Sequence, residues 1–149
     1  MRSPSPVRSR RKSAASGAAI YWTGSSGPFT AWHEIGACYE NFGGPAGPLG
    51  YPTSERSQAL ASPRGTEGLY QRFERGSIYW SERHGGHPVC DAIAAHYEGL
   101  GGTASRLGFP IADPSGDTRA GMPAGALRQR FENGWITWQP GQDAQAAFD

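Results

Sequence analysis

A chain of 149 residues with 14 Lys and Arg, 13 Asp and Glu and a formal charge of +1 holds one ordinary domain or a few small repeats, which excludes a large multidomain enzyme. Hydrophobic residues make up 37% and charged residues 18%, so the composition fits neither a membrane-embedded chain nor a charge-rich disordered one. The surplus lies in Gly 22 and Pro 12, which predict short elements joined by many turns, with Trp 5, Tyr 6 and Phe 6 supplying most of the core volume.

The charge is unevenly placed. Arg2, Arg8, Arg10, Arg11 and Lys12 put five cations and no acid into the first twelve residues, leaving the remainder acidic. Residues 1–17 have almost nothing to bury and are expected to be a disordered basic segment. SAASGAAI, which follows the cations, is too short and weakly apolar for a secretory h-region, and no apolar run approaches the roughly 18–20 residues of a membrane span.

Comparison of the chain with itself reveals a repeat. Ile20-Tyr21-Trp22 recurs as Ile78-Tyr79-Trp80 and as Ile136-Thr137-Trp138, each 58 positions apart. Without gaps, 20–77 and 78–135 share 21 identities in 58 pairs. The chain thus divides into 1–17, a first repeat over 18–81 that begins with the leftover strand of a preceding copy, a second over 82–141, and a flexible tail over 142–149. The mate of that leftover strand would fall near 13–16, where SAAS replaces QRFE, so the strand is expected to be unpaired or the N-terminus truncated.

In chain order, each unit is predicted to be a short helix, a loop and a β-hairpin, which makes the fold class α+β. In the first copy Thr30 is a plausible N-cap, Ile35 and Tyr39 face inward, and Gly43-Gly44 stops the helix. Leu49-Gly50-Tyr51-Pro52 follows, its Gly and Pro aiming the aromatic at one place as a packing plug. Residues 53–66 are polar and read as an exposed loop. A hairpin then turns at Glu74-Arg75-Gly76 into Ser77-Ile78-Tyr79-Trp80. The second copy repeats this: Pro88 in the first helical turn, Val89, Ile93 and Tyr97 on one face, Gly101-Gly102 as the stop, Leu107-Gly108-Phe109-Pro110, an exposed loop over 111–124, and a hairpin ending at Trp138. Strand alternation puts Ile78 and Trp80 on the core face and Tyr79 on the other. By the same rule Tyr21, Tyr79 and Trp135 face away from the core.

This pattern, an Ile-x-Trp strand, a helix ending in Gly-Gly, L-G-[FY]-P and Q-x-F-E-x-G-x-I-x-W, closely resembles the LGFP repeat family of actinobacterial cell-envelope proteins. The match covers about residues 18–140, with Leu49, Gly50, Tyr51, Pro52, Leu107, Gly108, Phe109, Pro110, Trp22, Trp80 and Trp138 as its structural positions. The resemblance implies a non-catalytic, secreted or envelope-located module that anchors or positions enzymes at the cell wall, with wall polysaccharide or peptidoglycan as partner and no cofactor. The competing expectation is a protein-protein interaction fragment or accessory subunit whose open repeat ends pack against a partner enzyme or a second copy of itself.

Tyr21, Tyr79 and Trp135 are the ligand candidates, since flat rings stack on sugars while nearby Arg and Glu bond hydroxyls. The competing assignment is that their face packs on the helix of the adjacent repeat. Arg72, Glu74, Arg130 and Glu132 recur and read as cross-strand ion pairs or inter-repeat contacts. His84, His87, Cys90, Asp91 and His96 have metal-like composition, with His87 and Asp91 on one helical face, but the first copy replaces them, so neither a metal site nor a catalytic one is expected. Cys38 and Cys90 occupy non-equivalent positions, and whether they form a disulfide stays open. Nucleic-acid binding by the basic arm is disfavoured by its lack of aromatics and the acidic remainder.

Overall fold

The computed structural model describes residues 9–13, 18–22, 29–31 and 33–149, with side chains at 29, 30 and 34–149. Strands β1 (Ser9–Ser13), β2 (Ala18–Trp22) and β3 (Phe29–Ala31) form an antiparallel sheet in the order β1-β2-β3. Helix α1 (His33–Asn41) follows. The second sheet holds β4 (Ser57–Gln58), β5 (Gly68–Phe73), β6 (Gly76–Ser81) and β7 (Gly85–Cys90) in sequential order. After helix α2 (Asp91–Leu100), strands β8 (Ser115–Gly116), β9 (Leu127–Phe131), β10 (Gly134–Trp138) and β11 (Gln145–Phe148) build an equivalent third sheet.

The α+β repeat is thus present, with more strand than the hairpin-only expectation. The hairpin of each complete unit gains a third full strand and a two-residue fourth, because the segment leaving β6 or β10 folds back onto it instead of entering a helix. Pro88 lies in β7, opposite Ile78, and not in a first helical turn. Its missing N–H is harmless there because β7 is an edge strand. Thr30 likewise sits in β3 and caps nothing. Helix α2 instead starts at Asp91, whose φ of 52° marks the abrupt change of direction and whose N–H donates to the Arg75 carbonyl at 2.8 Å. The basic segment expected to be disordered contributes β1, which pairs with β2 from Ser9↔Trp22 to Ser13↔Ala18, so β2 has a hairpin mate after all.

Sheets and helices alternate as layers. Helix α1 contacts β2 and β3 on one side and β6 and β7 on the other, and α2 lies between the second and third sheets. Ile35, Tyr39, Leu49, Tyr51, Phe73 and Ile78 form one core between α1 and the second sheet. The other core gathers Ile93, Tyr97, Leu107, Phe109, Phe131 and Ile136, and draws in Tyr79 and Val89 from the far face of the second sheet. Burying each of these large side chains contributes about 2 kcal/mol.

The LG[FY]P loop explains why the motif is spaced as it is. Gly108 has φ 76° and Gly50 φ 75°, and a Cβ at either would collide with the carboxylate of Glu132 or Glu74. This turn takes the Gly108–Phe109 peptide out of any regular ladder, so its two polar groups need side-chain partners. The Tyr97 hydroxyl donates to the Gly108 carbonyl at 2.5 Å, and Glu132 accepts the Phe109 N–H at 3.0 Å. In the first copy Tyr39 and Glu74 hold the Gly50–Tyr51 peptide at 2.5 and 2.8 Å. Each helix tyrosine also packs on the hairpin phenylalanine, Tyr39 on Phe73 at 4.5 Å and Tyr97 on Phe131 at 4.7 Å between centroids.

Replacing Tyr97 by Phe keeps the ring and strands a buried carbonyl. The expected loss is about 1–2 kcal/mol in denaturant unfolding, and an unchanged midpoint would show that the clamp adds nothing.

Candidate functional site

Glu74 and Glu132 turn inward to the loops, so the recurring acids are not the cross-strand partners of Arg72 and Arg130. The arginines reach other elements: Arg72 pairs with Glu98 on α2, and Arg130 takes Asp149 in a two-point contact, Nη1 to Oδ1 at 2.9 Å and Nη2 to Oδ2 at 2.5 Å. Gln71 and Gln129, both buried, each donate twice: Gln71 to the carbonyls of Thr30 and Ser54, Gln129 to those of Pro88 and Ala112. The motif glutamine therefore ties each hairpin to the edge strand that precedes its helix.

Contacts between the two units are polar as well as apolar. Glu132 accepts Thr66 Oγ1 at 2.5 Å and lies 3.0 Å from His84 Nε2. Arg64 Nε donates to Asn133 Oδ1 at 2.5 Å, and Thr103 Oγ1 to the Leu60 carbonyl at 2.6 Å. The loop 53–66, expected to be exposed, is therefore partly an interface, with Ala59, Ser62 and Thr66 buried. Burial pushes the Glu132 carboxyl up, but the bonds from Thr66, His84, the Phe109 N–H and Ser62 outweigh it and hold it down at about 2.

The metal-like cluster is dispersed. His84 faces Glu132; His87 Nδ1 meets Asp113 Oδ1 at 2.7 Å while its Nε2 meets the His84 carbonyl at 2.7 Å. Cys90 points into the first core, Asp91 is exposed, and His87 sits on β7 and not on a helix with Asp91. Among the described residues no three His, Cys, Asp or Glu side chains are placed to share a metal ion. Cys38 and Cys90 are free, their thiols pushed up to about 12 and about 11, chiefly by burial.

The three ligand candidates separate. Only the backbone of Tyr21 is described, in β2, and its side chain lies outside the described residues, as does that of Trp22. Tyr79 is 7% exposed and is not an open platform. It stacks on Tyr70 at 5.9 Å and meets Tyr97 edge-on at 5.2 Å, because α2 covers this face of the second sheet. Burial is also what pushes its phenol up to about 12. A groove of about 360 Å³ remains beside it, bounded by Leu60, Tyr70, Arg72, Glu98 and Thr103. Trp135 is half-buried on the outer face of the third sheet, with the Arg128 guanidinium 3.7 Å above its ring centroid and that of Arg130 at 5.3 Å.

A groove of about 370 Å³ lies there at the same register of the repeat. Sequence reasoning singled out Trp135 but missed Arg128. The signal lay in the pairwise comparison of the copies, where Tyr70 becomes Arg128, Ser77 becomes Trp135 and Tyr79 becomes Thr137.

The family comparison agrees with this geometry: residues 49–105 match the family model described as LGFP repeat, and over that stretch the chain is an LGFP repeat. The matched span runs from one LG[FY]P loop through the hairpin and α2. LGFP repeats typically occur in envelope-associated proteins, as repeat modules that are generally not catalytic. No curated protein matches the chain. No helix among the described residues is long and apolar enough to cross a membrane.

Two outcomes are expected. Since Glu132 is held below its ordinary value of 4.5, its stabilisation is complete above that pH and is lost as pH falls towards about 2. Glu132→Gln should flatten that part of an acid-unfolding curve, and an identical curve would show that the clamp does not titrate. Cys38 and Cys90 should resist iodoacetamide at pH 8 until the protein is unfolded, since the thiolate is the nucleophile; rapid labelling of the native chain would contradict their burial.

Proposed function

We propose that this chain is a non-catalytic cell-wall binding or anchoring module of the cell envelope, with wall polysaccharide or peptidoglycan as partner. The observation that carries the reading is the LGFP repeat itself, whose motif residues are spent on packing and on the loop clamp. What remains for a ligand is surface that the repeat does not need, above all Trp135 and its arginines on the outer face of the third sheet.

The competing reading, an open end that packs on a partner or a second copy, is less well supported by that face. The tyrosines that receive α2 on the second sheet are replaced there by Arg128 and Thr137, a polar exchange that suits a face in contact with water. A secreted or envelope location and an actinobacterial source are what the family resemblance implies.

Co-sedimentation with insoluble actinobacterial cell wall tests the reading. Saturable retention of the full chain is expected, weakened about tenfold by Trp135→Ala without a change in melting temperature. No retention of the folded protein would overturn it, and retention indifferent to Trp135 would remove this face from it.

A further inference from the structure

The two copies treat the same arginine in the same way with different elements. Arg72 holds the carboxylate of Glu98, brought in by α2. Arg130, 58 residues on, holds Asp149, which the terminal strand delivers: the Asp149 N–H donates to the Asn133 carbonyl at 2.9 Å, as that of Asp91 does to Arg75 at 2.8 Å. The position is therefore a carboxylate receptor in both units. In the first a helix residue fills it, with Arg72 52% and Glu98 37% accessible; in the second the residue after β11 fills it, with Arg130 26% and Asp149 49% accessible.

Beside it, the Arg128 guanidinium sits 3.7 Å over the Trp135 ring centroid, forms no ion pair among the described residues and has a buried Nε without a hydrogen-bond partner. Two guanidiniums thus face one groove, with Ser115 and Thr118 on its wall. Asp113, which also lines the groove, is paired with His87. A planar carboxylate matches the fork of a guanidinium with two parallel bonds, and the ring beneath holds Arg128 in place.

We propose that this groove binds a carboxylate carried on the wall polymer, with Asp149 as the resident carboxylate that the ligand displaces. The proposal rests on the wall-binding reading for the polymer and on the Arg128, Arg130 and Trp135 geometry for the site. Sugar stacking on Trp135 is excluded on the ring face that Arg128 covers, so recognition there is ionic. The same fork is offered by a uronic acid and by a peptide carboxyl terminus, and the arms of the experiment separate these sources.

The experiment is calorimetric titration of the full chain with trigalacturonate, N-acetyl-dialanine, maltotriose and inorganic phosphate. One of the two carboxylate probes should bind, and which one does identifies the source. Maltotriose should not bind, and phosphate should bind more weakly. Asp149→Asn should tighten binding roughly threefold, the factor for releasing a surface ion pair from competition. Arg130→Lys, which keeps the charge and loses the fork, should weaken it about tenfold. Flat titrations with both carboxylates, equal binding of maltotriose or phosphate, or no effect of Asp149→Asn would each overturn the proposal. Wall retention with flat titrations defeats the site and leaves the wall-binding reading intact; carboxylate binding without wall retention does the reverse.

Discussion

The peptide between Gly108 and Phe109, like that between Gly50 and Tyr51, has its carbonyl taken by a helix tyrosine and its N–H by a hairpin glutamate. One buried peptide plane thereby joins the three parts of a repeat. Without the Tyr hydroxyl or the Glu carboxylate a polar group would be buried unsatisfied, at a cost of about 1–3 kcal/mol. Glycine is required because the peptide must turn at positive φ directly against the carboxylate that holds it. The aromatic that follows then fills the core, with Tyr51 at 2% and Phe109 at 1% exposure.

Everything outside the clamp follows from layering. Because each helix serves two sheets, both faces of the second sheet are covered, and Tyr79 becomes core through its contact with Tyr97. Gln71 and Gln129 repeat the tie from hairpin to preceding edge strand, and Glu132 adds one between units by taking Thr66 and His84. The array therefore couples neighbours only, and its outward faces are where it can vary. The third sheet varies in that way, exchanging the aromatic pair Tyr70 and Tyr79 for Arg128 and Thr137 and placing Trp135 where the other copy has Ser77.

Much of the fold was legible in the residues. The period, the helices ending at Gly-Gly, the plug and the hairpin all follow from side-chain chemistry that acts within a few positions. Pro88 misled because proline suits both a first helical turn and an edge strand, and only the pairing of β7 with β6 distinguishes them. His87 and Asp91 were placed on one helix by the same error. The loop 53–66 looked exposed because its polar residues are those of a solvated loop; Thr66 is buried by a glutamate 66 residues away.

The chain by itself determined the repeat, its elements and the residues that must pack, because an identical pattern recurring every 58 residues records a local requirement met twice. It could not determine which face of each sheet meets solvent. Alternation assigns two faces to a strand, and the neighbouring layer decides which of them is covered. The tertiary structure made that decision, burying Tyr79 against Tyr97 of α2 and leaving Trp135 half-buried beneath Arg128, since what packs on a sheet face, and not the alternation of the strand, sets whether it is covered.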